Sequence, residues 1–178
     1  MALFRRRPRL PVAFRRALDL PRGDAPMALA PLVGDAWAVA SRRALHLLTP
    51  EGADASTAGV AVVREPWADI EKASFDPETT TIRVVLVRGG VLDLALAGTE
   101  WRTFATTLRE RVQSSVVHVE SVTLPGGVLA RAAVRRHEDG TLFSHVSTAE
   151  RVDTSRPGVA QALDELEERV RVAAGLPL

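Results

Sequence analysis

The chain has no cysteine, no tyrosine and a single lysine, Lys72. Without cysteine there are no disulfides and no thiolate metal ligands, so the fold must rest on its core. Aromatic residues total only 4%. That scarcity argues against single-stranded nucleic acid as a ligand, because such sites stack bases on aromatic rings. No apolar run approaches the ~20 residues of a membrane span. Arginine supplies nearly all of the 23 basic residues, a bias typical of GC-rich coding sequence rather than of a particular chemistry.

What is present is an ordinary globular composition with one electrostatic anomaly. The 178 residues are 46% hydrophobic and 25% charged, which suits one domain or one domain with an appendage. Residues 1–22 hold seven arginines against Asp19 alone, a net +6, whereas the rest of the chain holds 16 basic and 21 acidic residues, a net −5. Pro8, Arg9, Pro11, Arg15 and Arg16 interrupt any apolar stretch of the ~7–15 residues a secretory signal needs. We therefore expect a cytoplasmic protein, with peripheral attachment at the inner face of the membrane as the alternative.

Hydrophobic periodicity divides the chain into elements. "PVAFRRALDL" (11–20) predicts a short helix with Leu10, Phe14, Ala17 and Leu18 on one face. A β-rich stretch follows, with strands in 27–32, 36–48, 60–76, 81–87 and 91–97. Pro66 breaks the third of these, and "DPETT" and Gly89–Gly90 mark turns. The period then changes. Trp101, Phe104, Leu108 and Val112 fall at helical spacing. Three antiparallel strands are predicted in 115–124, 128–136 and 141–147. A last helix carries Val159, Leu163, Leu166, Val170 and Ala173 on one face.

Certain stretches carry a likeness to known folds. "WAVASRRALHLL" and "REPWADIEKASFD", with Pro66–Trp67 before Ile70, resemble strand signatures of bacterial pleckstrin-homology-like (PH-like) and GRAM-like domains. The helix bearing Trp101 is similar to their closing helix. The likeness spans roughly residues 24–113. Across most of its length the chain also resembles a family of small actinobacterial proteins, a likeness that brings no activity with it. The resemblance implies an α+β protein: a basic arm with a short helix (1–23), a PH-like antiparallel barrel with its closing helix (24–113), and a β-meander plus helix (114–178) packed on the barrel. PH-like domains often bind phosphoinositides through basic residues in the first hairpin loop. Here that loop, "PLVGDA", has no Arg or Lys and contains Asp35.

These observations predict a non-catalytic interaction or scaffold module that binds a protein partner. The alternative is a peripheral membrane protein held by the basic arm. Arg5, Arg6, Arg7, Arg9, Arg15 and Arg16 would contact an anionic partner or membrane, with Phe4 and Phe14 dipping into the interface. Trp37, Trp67 and Trp101 are read as core or half-buried packing, with Trp67, which follows a proline at a strand break, as the exception that could sit at the surface as a protein contact. Nucleic acid ranks below both partners. An exposed edge strand of the second sheet would allow a homodimer. No cofactor, metal ion or catalytic residue is expected. A metal-dependent or hydrolytic enzyme ranks last: His118, Glu120 and His145, with His137, Glu138 and Asp139, match no metal-ligand spacing, and Ser114 and Ser115 lack the partners of a triad.

Overall fold

A computed structural model describes residues 8–51, 59–99 and 101–177. The chain divides into two compact units, Met1–Val112 and Gln113–Leu178. It is α+β, with three antiparallel sheets.

The first unit holds two of these sheets. Strands β1 (Pro26–Pro31), β2 (Trp37–Ser41), β3 (Ala44–Glu51) and β4 (Gly59–Pro66) pair in sequence order. A single 3-10 turn at Trp67–Asp69 follows Pro66 and redirects the chain into β5 (Ile70–Asp76), β6 (Thr81–Leu86) and β7 (Val91–Ala95), which form the second sheet. Neither sheet closes on itself. One isolated bridge, Leu32 to Leu96, joins the end of the first sheet to the end of the second. It is flanked by bonds from Val33 N–H to the Ala95 carbonyl and from Ala97 N–H to the Pro31 carbonyl, both 2.9 Å.

Local chemistry fixes the turns of the second sheet. The Asp76 carboxylate accepts the Glu78 N–H at 2.9 Å and the Thr79 hydroxyl at 2.8 Å, and these bonds hold its carboxyl below the usual range. Gly89 and Gly90 both have positive φ, 85° and 99°, as a tight β6–β7 hairpin requires.

The core of the first unit is built from unequal partners. The first sheet contributes Ala28, Ala30, Ala38 and Ala40, whose small side chains leave room for large ones. The second sheet fills that room with Ile70, Ile82, Val84 and Leu94. Helix α2 (Arg102–Ser114) adds Phe104, Leu108 and Val112. The predicted helical face is the buried one.

The outward side of the first sheet is also covered. Helix α1 (Val12–Ala17), preceded by Pro11, places Leu10, Phe14 and Leu18 against Val39 and Leu48, with Leu29, Trp37 and Val60 alongside. Val39 and Leu48 lie opposite in parity to the inward alanines, so β2 and β3 are buried on both faces, whereas Val62 and Val63 of β4 stay exposed.

The second unit is a meander, β8 (Val116–Thr123), β9 (Leu129–Arg136) and β10 (Leu142–Thr148), followed by helix α3 (Val159–Ala173). The order is β10-β9-β8, so β9 is central. Ala130, Ala132 and Val134 of β9 meet Val159, Leu166 and Val170 of α3. Small residues on the strand let the helix approach closely. Among the described residues, no helix is long and apolar enough to cross a membrane.

Candidate functional site

The basic N-terminus is the first place to look. Phe4, Arg5, Arg6 and Arg7 lie outside the described residues. Arg9, Arg15 and Arg16 are exposed. Phe14, expected to dip into a membrane, is instead 8% exposed and packed in the cluster with Leu10 and Leu18. The apolar side of this segment is consumed by the sheet, so what reaches solvent is its arginine side. Phe14 is buried because the first sheet has two apolar faces and α2 lies on only one of them.

The chain entering β1 is tied down by a buried polar hub. Ser41 is fully buried, and its hydroxyl lies 2.8 Å from Asp24 Oδ2, 3.1 Å from the Ala44 carbonyl and 3.2 Å from His46 Nε2. It also accepts the N–H groups of Arg43 at 3.2 Å and Ala44 at 3.0 Å, which closes the short link from β2 to β3. Burial pushes the His46 imidazole below its ordinary value. The neighbouring Arg64 acts in the same direction, and Asp24 opposes both. Asp24, Ser41 and His46 are the residue types of a hydrolytic triad in the wrong order. In a triad the histidine stands between serine and carboxylate. Here the serine stands between them, out of reach of solvent.

Trp67 packs in the interior and is not the surface exception among the tryptophans. It is 6% exposed, part of the core, and its indole N–H donates to the Ser41 carbonyl at 3.2 Å. The bond satisfies the ring's one polar atom, which lets the whole side chain be buried. Trp37 and Trp101 are half-buried. Next to Trp67, the buried Glu65 carboxylate accepts two bonds from the Arg88 guanidinium, 2.7 and 2.5 Å long. This pair ties the end of β4 to the β6–β7 hairpin.

The histidines do not assemble a metal centre. His118 Nε2 lies 3.2 Å from Glu120 Oε1, and Arg169 of α3 donates to Glu120 Oε2 at 3.0 Å. These bonds hold the Glu120 carboxyl below its usual range. His145 is opposite Ala133, which is opposite Val119. It therefore lies on the other face of the sheet from His118 and Glu120. The ring of His137 stacks on Phe143, centroids 4.4 Å apart. Among the described residues, no group of three His, Asp or Glu side chains is arranged to hold a metal ion.

A cleft of about 240 Å³ lies between β5 and α2. Ala73, Ser74 and Phe75 form one wall, Trp101, Ala105, Thr106 and Arg109 the other, and Ile82 and Leu108 lie between. Phe75 and Trp101 meet with ring centroids 4.3 Å apart, and Arg102 sits 5.6 Å above the Trp101 ring. Phe75 remains 37% exposed.

Among the described residues, the strand beside the cleft ends its sheet. Val87 N–H bonds to the Asp69 carbonyl and Leu86 N–H to the Gly90 carbonyl, so along β6 the odd-numbered residues face β5. Their partners Lys72, Ser74 and Asp76 face back. The N–H and C=O groups of Ala73 and Phe75 consequently point away from the sheet, along the cleft. Sequence reasoning did not single out Phe75, which pairs with the buried Ile82. It lies on the core face of β5, but at the end of the sheet, where it stays 37% exposed.

No family model matches the chain, and no curated protein or solved structure is significantly similar to it.

Proposed function

We propose that residues 24–113 form a PH-like module without catalytic function, which binds a protein partner as an extended strand added to β5. The PH-like reading is supported by the four-plus-three strand order, the Leu32–Leu96 bridge and the amphipathic helix that follows β7. The binding reading is carried by one observation: the outward amides of Ala73 and Phe75 run beside a cleft floored by apolar side chains. Strand addition draws its affinity from main-chain bonds and its specificity from pockets for alternate side chains. The cleft is such a pocket, and Arg109 at its rim favours a carboxylate nearby. A phosphoinositide has less to recognise, since the β1–β2 loop carries Asp35 and no basic residue.

Selection from a displayed random-peptide library is expected to recover extended segments with a large apolar residue near an acidic one. Ala73→Pro removes an outward donor at an edge, where proline is tolerated, and should abolish binding while leaving the fold intact. Phe75→Ala should weaken binding at least tenfold. Peptides that bind Ala73→Pro as well as the parent chain would reject the strand-addition mode.

A second reading rests on the exposed Arg9, Arg15 and Arg16. With Phe14 and Leu10 buried, they support adsorption to an anionic surface by charge alone, without insertion. Each arginine near such a surface contributes about 1 kcal/mol. Co-sedimentation with anionic liposomes should then disappear on raising salt and on replacing these arginines by glutamine. Retention at high salt would contradict a purely electrostatic contact.

A further inference from the structure

We infer that the second unit pairs with a second copy of this chain through β8, edge to edge about a two-fold axis at Ser121. The argument starts from which groups β8 leaves unused. Leu124 N–H bonds to the Val128 carbonyl across the β8–β9 turn, so Leu124 faces β9 and, by alternation, so do Val122 and Glu120. The peptide groups of Val119, Ser121 and Thr123 therefore point out of the sheet.

This edge is poorly protected. Natural edges are blunted by proline, lysine or bulges. Strand β1 has Pro26 and Pro31. The eight residues of β8 include neither proline nor lysine, and the only irregularity lies between Val116 and His118. Beyond it, His118–Thr123 is a regular strand. Val119 is 40% exposed on the face away from α3. The corresponding edge of β10 has no side chain of comparable exposure.

The register follows from symmetry. A two-fold axis perpendicular to the sheet must pair residues of like parity, so that each side chain meets one on its own face. An axis at Glu120 sets two carboxylates opposite each other. An axis at Val119 brings Ser121 against the irregular Val117. An axis at Ser121 pairs Val119 with Thr123 of the other copy, Ser121 with its own counterpart, and Glu120 with Val122. It opposes no like charges, and it uses the outward groups of all three residues within the regular stretch. Serine pairs and β-branched pairs across strands are favourable.

The absence of cysteine makes the register directly testable, because one introduced thiol is the only thiol. In a hydrogen-bonded antiparallel pair, opposite Cα atoms lie about 5.5 Å apart, within reach of a disulfide. Ser121→Cys in the full chain is expected to form a disulfide-linked dimer under mild oxidation. Thr123→Cys places its thiol two residues from the axis, about 14 Å from its counterpart at ~3.4 Å per residue, and should not cross-link. Light scattering of the parent chain should give a dimer mass that falls to monomer in Ser121→Pro and is kept in Ser121→Ala. A monomer mass for the parent at every concentration overturns the proposal. So does cross-linking of Thr123→Cys as efficient as that of Ser121→Cys.

Discussion

Phe104→Ala is expected to lower the unfolding free energy by about 3–5 kcal/mol, the range for a large aromatic removed from a well-packed core. Phe104 is fully buried on α2, and the alanines of the first sheet cannot move in to fill the space it leaves. Their Cβ atoms are already at the end of their side chains, and their strands are held by pairing on either side. The cavity would therefore persist, which puts the cost toward the upper part of the range. Urea denaturation should show a lower midpoint with an unchanged slope. Thr103→Ala, one residue away and exposed, should stay within about 0.5 kcal/mol of the parent. A Phe104→Ala chain as stable as Thr103→Ala would mean that α2 does not seal this core.

Ser41→Ala should be comparably damaging, through a different mechanism. The hydroxyl serves Asp24, His46 and the Arg43 and Ala44 amides at once, in a fully buried position. Each buried polar group left without a partner costs about 1–3 kcal/mol, so a total of at least about 3 kcal/mol is expected. Ser41→Thr keeps the hydroxyl and should recover part of the loss. The same hub predicts a pH dependence. The pKa of His46 in the folded chain is below the ordinary 6.5. The unfolded chain therefore binds its proton first, and stability falls as pH drops from about 6.5 toward the folded-state value. The lowered carboxyls of Asp76, Asp93, Glu120, Asp139 and Asp153 produce a separate loss at lower pH, below about 4.5. His46→Gln should remove the upper of the two phases. If that phase survives in His46→Gln, another histidine is its source.

How much was legible in the sequence depends on the range of the interactions concerned. The face of α2 was readable because Phe104, Leu108 and Val112 recur at helical spacing, and that of α3 from Val159, Leu163, Leu166 and Val170, although Ala173 is exposed and Ala174 packs in its place. The turns at Asp76 and at Gly89–Gly90 were readable because their geometry is decided by the residues within them. Pro66 marked the break between β4 and β5. The Ser41 hub was not legible. Its members are separated by 17 residues on one side and 5 on the other, and a serine near a strand end looks like any other.

Two surface expectations failed for a shared reason. Phe14 as a membrane contact and Trp67 as a surface exception were suggested by their immediate neighbours, basic residues in one case and a proline in the other. Whether a ring meets solvent depends on what the rest of the chain lays over it. Composition and periodicity by themselves determined that this protein is α+β, free of disulfides, with basic charge concentrated at its start and amphipathic helices following each set of strands. These are properties of short windows and of sums. Tertiary structure alone decided that β2 and β3 of the first sheet are covered on both faces, that His145 is turned away from His118 and Glu120, and that β5 and β8 end their sheets. Strand order and burial are set by contacts between residues far apart in the chain, and local hydrophobic pattern does not encode which strand is last.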